Sequence, residues 1–97
     1  ILDLRSNEIN NIAVLSGISK LRELQLSGNF IGNLFPISNL TNLEKLDLSW
    51  NKKTSDIFPL SRLTNLRMLD LTGNQHLKFS EVTALRKALP KAKIQWD

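Results

Sequence analysis

The chain has 97 residues, of which 41% are hydrophobic, and 13 basic residues against 9 acidic ones give it a net charge of +4. This length fits one small domain, and so mild a basic excess does not form the dense patch expected of a nucleic-acid-binding protein. Cysteine is absent, which excludes disulfides and cysteine-bound zinc, and no apolar run approaches the roughly 18–20 residues needed to span a bilayer.

One motif, L-x-x-L-x-L-x-x-N, recurs along the chain. It is complete where it begins at Leu21, Leu43 and Leu66, and its last six positions run from Leu2 to Asn7. Its asparagines stand 22, 22 and 23 residues apart, and they are Asn7, Asn29, Asn51 and Asn74. A fixed period of this kind indicates a repeat protein. We predict one domain with repeats at about 1–20, 21–42, 43–65 and 66–79 and a C-terminal cap at 80–97.

Each L-x-L step places two leucines on the same side of an extended segment, because side chains alternate along a strand. One such strand cannot bury its apolar side alone, so copies must stack in parallel and share a core. Parallel strands need crossovers, which are right-handed. The predicted fold is therefore an α/β right-handed solenoid with a parallel β-sheet on its concave face. Inward-facing asparagine amides would satisfy backbone groups at the turns after the strands and link successive copies as a ladder.

The return segments predict short 3₁₀ turns on the convex face. Apolar residues recur every third position, as in Ile37, Leu40 and Leu43, and this spacing suits a helix in which residues i and i+3 eclipse. Pro36 and Pro59 open two of these segments, where a missing N–H costs little.

The first copy, with a strand predicted at Leu2–Arg5, carries no sign of an N-terminal cap. Its apolar end and unpaired strand edge should therefore be covered by upstream repeats of a longer chain or by a self-contact. The third copy has one extra residue after Asn51, and Lys52–Ser55 replaces an apolar step. We interpret this insertion as a surface bulge with solvated lysines; the alternative is a protrusion that contacts a partner.

After Asn74 the motif gives way to a predicted capping helix. Ser80 is a favourable helix N-cap, and Val82, Leu85 and Leu89 follow at helical spacing until Pro90. Residues 93–96 then predict a last short strand.

The outward strand positions are the candidate binding residues, and two features stand out. Asp47 and Asp70 should be direct neighbours, and like charges side by side are unfavourable. This pair is either compensated by Lys45 and Lys93, or a surface for a basic partner, or, least favoured, part of a metal site. Trp50 is either a binding hot spot or local packing over Asn51. The predicted partner-binding residues are Glu23, Gln25, Lys45, Asp47, Trp50, Met68 and Asp70.

The extended pattern L-x-x-L-x-L-x-x-N-x-I-x-x-I-x-x-L-x-x-L resembles the short leucine-rich repeats of bacterial internalins and of the protein-phosphatase regulatory subunit that shares them. The match is best from Asn29 to Leu43. The ending from Ala88 to Ile94 is similar to the L-P-x-C-x-I close of bacterial leucine-rich repeat proteins, with Ala92 in place of Cys. The resemblance implies a horseshoe arc whose concave sheet binds a protein, and it supplies no catalytic residues.

We therefore expect a non-enzymatic protein-interaction module that needs no cofactor. The alternative is a regulatory or structural appendage of a larger enzyme or receptor, which would dock within its own chain. An enzyme is disfavoured because the sequence has no convergent acid–base set, no glycine-rich phosphate loop and no metal-ligand spacing.

Overall fold

The computed structural model describes residues 1–54 and 56–96, so Ser55 of the inserted segment and Asp97 of the cap lie outside the described residues. The described residues form a five-stranded parallel sheet whose strands follow one another in chain order. The strands are β1 (Leu2–Asp3), β2 (Glu23–Gln25), β3 (Lys45–Asp47), β4 (Met68–Asp70) and β5 (Lys93–Gln95). We call their outward side the sheet face.

Short 3₁₀ helices return the chain from one strand to the next, as predicted. They are η1 (Ala13–Gly17), η2 (Phe35–Ile37) and η3 (Phe58–Arg62). Pro36 and Pro59 are the second residues of η2 and η3, where no intrahelical N–H is needed. The last return segment is the α-helix α1 (Phe79–Ala88), which lies beside η3. None of the helices in the described parts of the chain has the length and apolar character required to cross a membrane.

The predicted solenoid is confirmed by the strand register. Leu24, Leu46 and Leu69 are direct partners on adjacent strands, and Ile94 continues the row on β5. All four are buried, and the leucines two positions after the first three are buried with them. Since each apolar row takes its residues from successive repeats, no single repeat could make this core by itself.

The asparagines that follow β2, β3 and β4, which are Asn29, Asn51 and Asn74, each donate to a carbonyl of the coil before them. The side-chain amide of Asn51 donates to the carbonyls of Leu48, 3.0 Å away in its own coil, and Leu26, 2.9 Å away in the coil before. Its Oδ1 accepts the backbone N–H of Ile31 at 3.1 Å. Asn29 makes the equivalent bonds: its amide donates to Leu26 in its own coil and to Leu4 in the first coil, and its Oδ1 accepts the N–H of Ile9. Asn7, by contrast, is exposed and donates to the Arg5 carbonyl two residues away.

The extra residue in the third repeat interrupts this pattern. Lys52 and Lys53 are exposed, as expected of a surface bulge, but Thr54 is fully buried and its hydroxyl donates to the Ile31 carbonyl. In the second repeat the buried residue is Ile31, two residues after Asn29, and its N–H donates to Asn51 of the next coil; in the third repeat it is Thr54, three residues after Asn51, and its N–H donates to the Asn51 carbonyl of its own coil. Within the described residues, the buried Oδ1 of Asn74 therefore has no hydrogen-bond partner.

Three predicted boundaries were wrong, and one of them is the end of β5, which lies at Gln95 rather than at residue 96. β1 ends at Asp3 rather than Arg5, because the Arg5 N–H donates to the Asp3 carboxylate and not to a strand. The capping helix begins at Phe79, and Ser80 is its second residue rather than its N-cap. The reason is that the Lys78 carbonyl already accepts the N–H groups of Glu81 and Val82, so the N-cap lies two residues earlier, at Lys78.

The ladder predicts a large difference between two asparagine-to-alanine substitutions. Asn51→Ala should lower the free energy of unfolding by about 2–5 kcal/mol, because it leaves several buried backbone groups unpaired at roughly 1–3 kcal/mol each. Asn7→Ala, at the same repeat position but exposed, should change it by less than about 0.5 kcal/mol. Urea denaturation followed by circular dichroism measures both, and equal losses would contradict this role of the ladder.

Removing the insertion should stabilise the chain. A variant that lacks Lys53 and carries Thr54→Ile restores the spacing of the second repeat, so an N–H can reach Asn74 Oδ1. Satisfying this buried acceptor is expected to raise the free energy of unfolding by about 1–3 kcal/mol. Lys53→Ala without the deletion is the control and should be neutral; a deletion variant that unfolds at lower urea than this control would refute the explanation.

Candidate binding surface on the sheet

The sheet face contains a shallow depression of about 180 Å³, lined by outward residues of four adjacent strands. Two rows in register cross it, one before and one after the buried leucines of the strands. The depression brings together six of the seven predicted partner-binding residues, and these are Glu23, Gln25, Lys45, Asp47, Met68 and Asp70. Lys93 and Gln95 also line the depression. They are the residues of β5 that pair with Met68 and Asp70 of β4, so the spacing of the repeat would have indicated them.

Asp47 and Asp70 are directly opposite each other on β3 and β4. Each ends its strand by accepting a backbone N–H with Oδ1, Asp47 from Ser49 and Asp70 from Thr72, both at 2.9 Å. The Ser49 hydroxyl also donates to Asp47 at 2.7 Å. The aspartates therefore have a structural role that sequence analysis missed, although the D-x-S and D-x-T spacing carries the signal.

The equivalent aspartate in the first copy, Asp3, bonds to an arginine side chain. Arg5 donates two side-chain hydrogen bonds to Asp3, at 2.9 and 2.7 Å. These bonds lower the pKa of Asp3 and raise the pKa of Arg5. The charge of Asp47 also attracts Arg5, more weakly, and raises the pKa of Arg5 in the same direction. Serine and threonine occupy the place of Arg5 after Asp47 and Asp70, so the third and fourth copies lack this built-in cation.

The lysines of the face do not form ion pairs with these carboxylates. Across residues 1–54 and 56–96, the ion pairs are Arg5 with Asp3 and Arg22 with Glu44. The same residues contain no group of three or more potential ligands that could hold a metal ion. Asp47 and Asp70 thus face solvent side by side with no cation within 4.0 Å.

Trp50 lies just past β3, outside the lining of the depression. Its backbone has a φ of +58°, a conformation that Ser6, Gly28 and Gly73 also adopt at the equivalent positions, with φ of +57°, +72° and +79°. The left-handed region costs a non-glycine residue roughly 1–2 kcal/mol. The Trp50 N–H donates to the Thr72 carbonyl at 2.7 Å, which holds the backbone in place.

The indole of Trp50 packs over the next coil while remaining 52% exposed. A Cβ built on Gly73 would lie 2.4 Å from Cδ2 of Trp50, so the ring rests directly on this glycine. The ring therefore packs locally, on Gly73 of the next coil rather than over Asn51, and its remaining surface is exposed. The contact joins the third and fourth coils at the surface.

A family model described as "Leucine Rich repeats (2 copies)" matches residues 19–57 and 41–87 of the chain. The two matches together cover more than half of the sequence. No curated protein matches it.

Several solved structures share the fold. A leucine-rich repeat protein of Leptospira interrogans is 30% identical over 96% of this chain and 30% of its own length, with a TM-score of 0.61. Internalin C2 of Listeria monocytogenes is 26% identical over 100% of this chain and 52% of its own, with a TM-score of 0.62. An internalin InlF of the same organism, at 22% identity and a TM-score of 0.54, shows the shared fold alone. This chain spans between 30% and 52% of the length of these proteins.

The contact between Trp50 and Gly73 predicts non-additive substitutions. Gly73→Ala should be strongly destabilising, because it adds a clash with the indole to the roughly 1–2 kcal/mol of left-handed strain. In a Trp50→Ala background the clash disappears, and the same substitution should cost only that strain. Urea denaturation of the double-mutant cycle measures the coupling. Equal costs in both backgrounds would show that the ring does not rest on Gly73.

Proposed function

Because this chain belongs to the leucine-rich repeat family, whose members are generally protein–protein interaction modules, we propose that it binds a protein partner through its sheet face. The proposed role is non-catalytic, as is typical of the family and of the internalins. The proposed contact residues are the six that line the depression, with Trp50 at one rim.

The observation that carries this proposal is the neighbouring pair Asp47 and Asp70. Two carboxylates opposite each other repel, and no cation of the described chain pairs with either one. Their structural hydrogen bonds use Oδ1, which leaves acceptor capacity on each group for an incoming donor. A lysine or arginine of a partner placed between them would relieve the repulsion and would be held by two charge-assisted hydrogen bonds.

Trp50 supports the same proposal on separate grounds. Glycine would adopt its positive φ without strain, and the equivalent residues in the neighbouring coils are glycines. Strain of this kind is often kept where the side chain has a function. An exposed tryptophan that is fixed on one side by Gly73 loses little freedom on binding, which suits a hot spot. Met68, half exposed beside the aspartates, offers an apolar contact within the depression.

Photo-crosslinking can identify the partner and test the face at the same time. The photoreactive residue p-benzoylphenylalanine is introduced at Met68 on the sheet face or, as the control, at exposed Asn39 outside it. In an extract of the source organism, we expect a specific protein adduct from the Met68 position that an excess of unlabelled wild-type chain suppresses. An adduct that forms equally well, or better, from the Asn39 position would refute the proposed face.

With the crosslinked partner purified, charge and aromatic substitutions can be compared. Asp47→Asn with Asp70→Asn should weaken binding about tenfold or more, about 1.4 kcal/mol, and should flatten its salt dependence. Trp50→Ala should weaken it by a similar or larger factor. Glu44→Gln removes a carboxylate away from the depression and is the matched control. Isothermal titration calorimetry at two salt concentrations measures all four proteins, and unchanged affinity in the double asparagine variant would contradict the role of the pair.

A further inference from the structure

A second exposed surface lies on the helical side of the molecule. Phe35, Phe58 and Phe79 are the first residues of η2, η3 and α1, and they are 66%, 77% and 71% exposed. These helices follow one another across the molecule, so the three rings occupy equivalent places on successive coils. We propose that this aromatic row, together with the groove beside Phe58, binds an amphipathic protein segment that carries lysine or arginine next to its apolar side chains.

The fold itself does not need these phenylalanines. Ala13 occupies the same place at the start of η1, and the adjoining inward residues of η1 are buried in the same way as those of the later coils. An aromatic side chain that remains mostly exposed contributes little to the core, and three in one row exceed scattered surface apolar residues. The row is therefore better explained by contact with another molecule than by folding.

The groove between η3 and α1 has the dimensions and lining of a side-chain pocket. Its volume is about 170 Å³, and a cavity of roughly 150 Å³ is enough to hold a benzene ring. Ile57 and Leu85 are the buried apolar residues in its lining, and Phe58 is the exposed aromatic one. Ala84 and Ala88, one helical turn apart on α1, are exposed and small enough to let a partner backbone approach closely.

The acidic residues that line the groove favour a basic partner segment. Its charged lining residues are Asp56 and Glu81, although the chain as a whole has a net charge of +4. The cations on and next to α1, Lys78, Arg86 and Lys87, do not belong to the lining. An apolar segment flanked by lysine or arginine would therefore meet complementary charge at this groove, and an acidic segment would be repelled.

A synthetic peptide can test this proposal directly. The probe is a 14-residue helical peptide with leucines at positions i, i+3, i+4 and i+7 and lysines at the flanking positions, titrated into the ¹⁵N-labelled 97-residue chain. We expect chemical-shift changes concentrated at residues 56–62 and 79–88. A peptide with glutamate in place of each lysine should bind at least about tenfold more weakly. Shift changes centred on β3 and β4, no binding, or equal affinity for both peptides would overturn the proposal.

The chain offers matched variants that keep the fold. Phe58→Ala gives η3 the first residue that η1 already has, Ala13. Asp56→Asn keeps a side-chain oxygen that can accept the Phe58 N–H, just as Asn33 accepts the Phe35 N–H. Phe58→Ala should weaken the lysine peptide about tenfold, and Asp56→Asn with Glu81→Gln should remove most of the difference between the two peptides. Asp47→Asn on the sheet face should change neither affinity. Circular dichroism verifies folding, and a folded Phe58→Ala chain with unchanged affinity would overturn the proposal.

Light scattering across the same concentration range completes the test. A chain that remains monomeric in the absence of peptide is the expected result. Self-association that Phe58→Ala abolishes, together with no peptide binding, would assign the row to a second copy of the chain and overturn the basic partner. Because the groove and the depression share no residues, failure here leaves the proposed sheet-face function untouched.

Discussion

The hydrogen bonds of the inward asparagines are the interaction on which the rest of the structure depends. Each tight turn after a strand leaves backbone carbonyls in a buried place, where an unpaired polar group is costly. Asn29 and Asn51 satisfy these groups in their own coil and in the coil before it. This arrangement holds adjacent coils at the strand spacing, which aligns the leucines in rows and leaves the opposite side of every strand outward. The sheet face is a consequence of this inward bonding.

Departures from the repeat pattern coincide with the features that distinguish this chain from a plain solenoid. Near the extra residue at Thr54, the amide of Asn74 still donates to Leu48 of the preceding coil, but its Oδ1 has no partner among the described residues, and Trp50 stands one residue before the affected turn. Trp50 packs on Gly73 and so adds a surface contact between the same two coils that lost an inward bond. Asp47 and Asp70 beside this region are neighbours that form no ion pair within the described residues. The positive φ of Trp50, the unpaired Oδ1 of Asn74 and the neighbouring charges of Asp47 and Asp70 thus all lie on or next to β3 and β4.

Sequence periodicity predicted the features that depend on spacing. The row of Leu24, Leu46 and Leu69, the short 3₁₀ segments whose second residues are Pro36 and Pro59, and the final strand near Ile94 all follow from fixed positions in the repeat. The pairing of Asp47 with Asp70 followed from the same register. These predictions held because each residue meets the equivalent residue of the next coil.

Features that depend on individual atoms could not be predicted in this way. The burial of Thr54 depends on how the inserted residue is accommodated, and the position of Trp50 depends on a left-handed backbone that tryptophan rarely adopts. The start of α1 at Phe79 was missed because Ser80 is a favourable cap by composition, whereas the Lys78 carbonyl begins the helix. The exposed phenylalanine row needed the helix boundaries before its alignment became visible.

Native-state amide hydrogen exchange tests the central claim, that the coils form one shared interior, most directly. Leu26 and Leu48 lie in different coils, and their N–H groups donate to carbonyls of the strand that follows, those of Asp47 and Asp70. The account predicts that both amides exchange only through global unfolding, with equal free energies that match the denaturant value and fall together in Asn51→Ala. Free energies that differ by several kcal/mol between the two coils, or a loss confined to one of them, would contradict a shared interior.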